Sequence, residues 1–100
     1  MTINITKGID SGVHEAFLDK SNMSIVIFTK NNLCICIDYI TRNLNTAFIP
    51  NSTYNSFMHD KCKQIKFSEY VQYIVLLNRK RCIANVAPTP KRNQVSGGDG

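Results

Sequence analysis

The chain contains no apolar stretch long enough to cross a membrane. The longest run, residues 71–77, is interrupted by Gln72 and is shorter than the roughly 18 residues that a spanning helix needs. The first four residues, Met1-Thr2-Ile3-Asn4, lack the basic start and long apolar segment of a secretory signal. We therefore expect an intracellular protein of the cytoplasm, the nucleus or both, with no transmembrane segment.

Motifs that carry catalysis are also missing. The glycine cluster near the end of the sequence is not followed by a helix, so no loop is suited to cradle a phosphate. His14 or His59 could serve as a base, but no cysteine has the surroundings of a known nucleophile. Glu15 and Asp19 are like charges at helical spacing, which indicates a solvent-facing pair. We predict that the protein is not an enzyme.

Acidic residues are scarce in the later part of the chain. The formal net charge is +5; residues 1–60 carry four basic and five acidic residues, whereas residues 61–100 carry eight and two. Such a one-ended basic field attracts nucleic acid, anionic lipid or an acidic protein. The predicted binding residues are Lys61, Lys63, Lys66, Arg79, Lys80, Arg81, Lys91 and Arg92.

Four cysteines without an export signal predict free thiols in a reducing compartment. Cys34 and Cys36 would project from one face of a strand, and His59 and Cys62 supply two further soft ligands. One hypothesis is therefore a Zn²⁺ ion that ties a weakly patterned loop to the sheet. The other is a structural role, because a thiol between isoleucines is more often a small buried hydrophobic group. The sequence favours the structural role and no cofactor.

The strongest structural signal is a pair of apolar runs at 24–29 and 33–40. Both are rich in β-branched and aromatic residues, and the asparagines Asn31 and Asn32 between them suit a tight turn. These runs predict an antiparallel hairpin.

The pairing within this hairpin follows from the length of its turn. A two-residue loop would place Phe28 opposite Ile35, and Ile27 opposite Cys36. Both faces of the ribbon would then be partly apolar. The face with Ile25, Ile27 and Cys36 would need a short helix or another subunit to cover it.

The other elements are predicted from weaker patterns. We expect a strand at 46–49, an edge strand near 2–6, a short helix at about 12–20, a surface loop at 51–63 and a helix at 68–80 that begins at Ser68. A strand at 69–77 is the alternative to the last helix, because that segment contains several β-branched residues. The cap, the length and the apolar face favour the helix.

The C-terminal residues from 87 onward predict a flexible basic tail, because prolines and glycines alternate with polar residues. Thr89 precedes Pro90, Lys91 and Arg92, which is the pattern of a proline-directed phosphorylation site. The folded part is then a single α+β domain over residues 1–86.

These patterns predict a small non-enzymatic accessory protein, with a composition rich in Asn, Ile and Lys that is typical of virus-encoded proteins. It would dock a macromolecular partner, most readily a protein, through an apolar sheet face and the basic C-terminal end. A homodimer could form through the second sheet face. Nucleic-acid binding by the basic part is the alternative, and a zinc-stabilised adaptor is the third hypothesis.

Overall fold

An antiparallel sheet of five strands lies at the centre of the structure, a computed structural model that describes residues 1–80 and 83–91. In chain order the elements are β1 (Thr2–Asn4), α1 (Ile5–Asp10), β2 (Val13–Asp19), a 3₁₀ turn (Lys20–Asn22), β3 (Ser24–Thr29), β4 (Cys34–Asp38), β5 (Leu44–Phe48), α2 (Ser52–Lys61), β6 (Lys63–Gln64), α3 (Phe67–Lys80) and β7 (Ile83–Asn85). The strand order β5-β4-β3-β2-β6 places β5 and β6 at the edges, while β1 pairs with β7. The predicted α+β class is confirmed.

The predicted hairpin is present as β3 and β4, but its predicted register is wrong by one residue. Thr29 N–H donates to the Leu33 carbonyl at 2.9 Å, and Leu33 N–H donates to Thr29 Oγ1 at 3.0 Å. These bonds close a three-residue turn whose last residue, Asn32, has φ 67°. Phe28 therefore lies opposite Cys34, and Ile27 lies opposite Ile35.

This register sorts the side chains of the hairpin by face. One face gathers the isoleucines and is covered by α1 and α3; the other gathers Val26, Phe28, Cys34 and Cys36 and is covered by α2. The residues that were expected to need a short helix or another subunit are covered within the chain: Ile25, Ile27 and Cys36 are 4%, 0% and 6% exposed. Neither face of the hairpin is available for the predicted docking partner or homodimer contact.

Helix α2 occupies most of the segment that was predicted to be a surface loop. Asn51 caps it, since its Oδ1 accepts the Tyr54 N–H at 2.8 Å. Tyr54 and Met58, one helical turn apart, are its buried residues. Because an apolar contact of two residues produces only weak periodicity, the sequence pattern did not indicate a helix.

The predicted helix at 12–20 is wrong, because residues 13–19 form β2. Asp10 and Ser11 lie at the end of α1, and Gly12 then takes φ 108° to redirect the chain into this strand. Strand β2 is bonded on both sides, to β3 along its length and to β6 at Phe17 and Leu18. This pairing outweighs the helical spacing of the apolar residues.

Helix α3 confirms the helical interpretation of the segment near 68–80 and excludes the strand alternative. It begins one residue earlier than predicted, at Phe67, and Glu69 Oε1 accepts the Lys66 N–H at 2.9 Å. Its buried residues Tyr70 and Leu77 pack on the isoleucine face. Within the described ranges, neither α3 nor a shorter helix combines the length and apolar character that a membrane crossing requires.

The start of the predicted flexible tail is ordered along the edge of β5. Val86 N–H donates to the Met1 carbonyl and Ala87 N–H to the Ala47 carbonyl, both at 3.0 Å, while Thr89 Oγ1 donates to the Ile49 carbonyl at 2.7 Å. We call residues 86–91 the strap. Two residues of the predicted tail are thus bonded to this edge: Ala87, which precedes both prolines, through its backbone N–H, and Thr89, which lies between them, through its hydroxyl. Residues 92–100 lie outside the described part.

Candidate functional site

The predicted basic surface divides into two groups. Lys61 ends α2, Lys63 lies in β6 and Lys66 immediately precedes α3, whereas Arg79 lies in the last turn of α3. Thirteen residues of helix place Arg79 about 20 Å from Lys66. Lys91 is exposed on the strap. The remaining predicted residues, Arg81, Arg92 and the side chain of Lys80, fall outside the part of the chain that the structure describes.

Lysines from distant parts of the sequence meet at a cleft of about 310 Å³ where β6 joins β2. We call it the lysine cleft. Exposed Lys20, Lys61 and Lys63 line it together with half-buried Leu18, Phe57 and Cys62, and the remaining lining residues are Asp19 and Ser21. The strand pairing of Leu18 with Lys63 creates this arrangement, and Lys20 follows Leu18 by two residues.

The electrostatic balance of the lysine cleft is positive. Asp19 is 2% exposed, and its Oδ1 accepts hydrogen bonds from Ser21 Oγ at 2.8 Å and from Asn22 N–H at 3.4 Å. Lys61 Nζ lies 3.8 Å from Asp60, but both side chains are largely exposed, so water screens this pair. An anionic group could therefore approach the three ammonium groups while an apolar neighbour contacts Phe57 or Leu18.

Sequence reasoning missed Lys20 because it lies in the part of the chain with slightly negative net charge. It is about forty positions from Lys61 and Lys63, and the intervening sequence contains four described elements. If residues 13–19 had been recognised as a strand, the position of Lys20 at the end of that strand would have been the first sign that it can approach the other lysines. Its partner β6 is only two residues long and has no pattern of its own.

The predicted zinc ligands do not converge. Cys34 and Cys36 are buried on the α2 side of the sheet, whereas His59 Nε2 lies 3.0 Å from the Glu15 carboxylate. Across residues 1–80 and 83–91, no three His, Cys, Asp or Glu side chains are grouped closely enough to hold a metal ion.

Burial raises the pKa of the Cys34 thiol well above its usual range. The neighbouring Cys36 raises this pKa further through a hydrogen bond and its charge, and a hydrogen bond with Tyr54 partly opposes the shift. Cys34 therefore remains a neutral thiol at physiological pH and acts as a small hydrophobic side chain.

This shift predicts that stability falls in alkaline solution. Above the ordinary thiol pKa of about 8.5, the unfolded chain releases the Cys34 proton while the folded chain retains it. The free energy of unfolding should therefore decrease by up to about 1.4 kcal/mol per pH unit from this residue. Urea unfolding at several pH values checks the prediction, with Cys34→Ala as the comparison. Curves for the two proteins that stay parallel from neutral to alkaline pH would contradict it.

A second polar cluster lies at a β-bulge of β2, where His14 is the extra residue. His59 Nε2 of α2 lies 3.0 Å from the Glu15 carboxylate, and His14 Nε2 lies 3.8 Å from it. The His59 ring also packs edge-on against Phe17, with 5.1 Å between centroids. The predicted solvent-facing pair of Glu15 and Asp19 is therefore wrong, because Glu15 instead links β2 to α2 and Asp19 is buried.

Cys34 and Cys36 are thus buried beneath α2, whereas Cys62 lies between Lys61 and Lys63 in the lysine cleft, where positive charge and apolar surface coincide. No family model matches the chain, and neither the curated proteins nor the solved structures contain a match to it.

Proposed function

We propose that this protein is a small non-enzymatic interaction protein that binds an acidic segment of a protein partner in the lysine cleft. One observation supports this above all others: Lys20, Lys61 and Lys63 converge around half-buried Leu18 and Phe57. Paired carboxylates next to an apolar side chain would match both features of the cleft. Because both faces of the hairpin are covered, this cleft replaces the apolar sheet face as the docking surface.

A protein segment fits the described cations better than a nucleic acid does. A nucleic-acid backbone is normally followed by a continuous line of cations with aromatic stacking surfaces. Here about 20 Å of helix separates Arg79 from Lys66, and Tyr70 is buried in the core. A cleft of about 310 Å³ accommodates one or two side chains. Nucleic-acid binding remains the alternative that the experiment below distinguishes.

We further propose that the protein acts inside the cell. The chemistry of Cys34 supports this, because it is a buried thiol that forms no disulfide. Thiols of this kind are typical of proteins from reducing compartments.

The proposed function predicts a specific loss of affinity when the cleft lysines are neutralised. Lys20, Lys61 and Lys63 would be changed together to Gln, and binding of a synthetic Asp-Glu-Phe-Glu-Asp peptide would be followed by NMR titration. We expect the affinity to fall by about 10- to 100-fold, because three partly exposed ion pairs are removed.

A matched control removes the same charge elsewhere. Lys7, Lys30 and Lys91 are exposed and lie outside the lysine cleft, so their joint change to Gln should alter peptide affinity by no more than about twofold. Equal losses in both variants would contradict a local site. If the cleft variant lost binding to single-stranded oligothymidylate and kept its peptide affinity, the nucleic-acid alternative would be correct.

A further inference from the structure

The strap is attached to β5 by two different hydrogen bonds. Ala87 donates its backbone N–H to Ala47, whereas Thr89 donates its side-chain hydroxyl to the Ile49 carbonyl at 2.7 Å. Pro88 and Pro90 have no N–H to add a third bond of the ladder type. The outer attachment of the strap therefore depends on one hydroxyl proton.

We propose that Thr89 is a phosphorylation site, and that its modification releases the strap and opens the edge of β5 to the β5 of a second copy. The sequence Thr89-Pro90, followed by Lys91 and Arg92, suits a proline-directed kinase. Thr89 Oγ1 would attack the γ-phosphorus of a nucleoside triphosphate. The new Oγ1–P bond forms as the bond from the γ-phosphorus to the bridging oxygen breaks, the nucleoside diphosphate leaves, and the hydroxyl proton passes to the base of the kinase.

Phosphorylation replaces the attraction between the Thr89 hydroxyl and the Ile49 carbonyl with a repulsion. The modified side chain has lost the hydroxyl proton that it donated, and it carries about −1.5 to −2 charges at pH 7 on three acceptor oxygens. Those oxygens would face the Ile49 carbonyl, which is itself an acceptor. Of the two bonds between the strap and the β5 edge, the one from Ala87 then remains, while the bond from Val86 to Met1 holds the start of the strap.

The opened edge of β5 would be complementary to the same edge of a second copy of the chain. Strand β5 ends the five-stranded sheet, and the carbonyls of Ala47 and Ile49 both point toward the strap. Two such edges related by a twofold axis can pair antiparallel, and the resulting dimer leaves neither β5 edge exposed. The lysine cleft lies at β6, the opposite end of the sheet, so this proposal and the proposed function can fail independently.

A chain phosphorylated at one position can be made by ligation at Cys82. A thioester of residues 1–81 would be joined to synthetic residues 82–100, with either threonine or phosphothreonine at position 89. We expect hydrogen exchange of the Ala87 amide to be about tenfold faster in the phosphorylated chain. We also expect a concentration-dependent dimer in sedimentation equilibrium, where the unmodified chain is a monomer. Exchange of the Ala87 amide that is unchanged or slower would overturn the proposal; this would follow if the N-terminal amides of α2 bound the phosphate. A phosphorylated chain that stays monomeric would overturn it as well.

Substitutions distinguish the effect of losing the Thr89 hydroxyl donor from the effect of adding negative charge. Thr89→Val removes the donor without adding charge and should raise Ala87 exchange by about threefold. Incubation with a proline-directed kinase and ATP should add one phosphoryl group to the unmodified chain and none to Thr89→Val. Pro90→Ala should keep the exchange rate of the unmodified chain while it resists the kinase. A kinase that ignores the unmodified chain, or modifies Thr89→Val equally, would contradict the assignment of Thr89.

Discussion

Replacement of Phe48 by alanine is expected to lower the free energy of unfolding by about 3–5 kcal/mol. Phe48 lies on β5, is 0% exposed and packs edge-on against Tyr54 of α2, with 4.9 Å between the ring centroids. Its removal leaves a cavity between the sheet and α2, and its neighbours Tyr54 on α2 and Cys34 on β4 cannot fill the space without moving. Urea denaturation followed by circular dichroism measures the change.

The matched control is Phe67→Ala, which deletes the same atoms from a side chain that is 62% exposed. Phe67 contacts Tyr70 at the start of α3, so we expect a loss of no more than about 1 kcal/mol. Similar losses for the two variants would show that α2 does not enclose Phe48. This comparison also tests the least expected feature of the fold, because α2 occupies a segment whose sequence pattern indicated a loop.

Replacement of Leu77 by alanine should cost about 2–5 kcal/mol. Leu77 is 0% exposed on α3 and belongs to the cluster that covers the isoleucine face of the hairpin, including Ile27 and Ile35. Alanine is a slightly better helix former than leucine, so the loss reports packing rather than helix propensity. Chemical denaturation again provides the measurement.

Val75→Ala is the control on the same helix, since Val75 is 42% exposed. We expect a change of no more than about 0.5 kcal/mol for this surface substitution. Leu77 and Phe48 belong to clusters on opposite sides of the sheet, so their effects should add to within about 0.5 kcal/mol in the double variant. A markedly smaller combined effect would indicate one shared core instead of two layers separated by the sheet.

Part of the fold could be predicted because it depends on short-range patterns. The two apolar runs on either side of Asn31 and Asn32 indicated the hairpin, and the run before Pro50 indicated a third strand. The spacing of Tyr70 and Leu77 in α3 indicated a helix. In each case the composition or spacing within one short segment matches its burial: β3 is buried throughout, and α3 buries Tyr70 and Leu77.

Errors arose where a short segment allows two structures. Residues 13–19 have apolar residues at helical spacing, yet β3 and β6 supply hydrogen bonds on both sides of them. The hairpin register depended on whether the turn has two or three residues, and the hydroxyl of Thr29 favours three. A change of one residue reverses the face of every side chain in the strand, so this local detail determined which helix covers the cysteines.

The sequence by itself thus determined the class of the fold, the hairpin, α3 and the excess of positive charge in the later part of the chain. Only the tertiary structure decided where those charges lie. It separated Arg79 from Lys66 by the length of α3, and it brought Lys20 to Lys61 and Lys63 through the pairing of Leu18 with Lys63. The physical reason is that helix and strand preferences operate over a few residues, whereas the meeting of distant side chains depends on which strands pair and in which register.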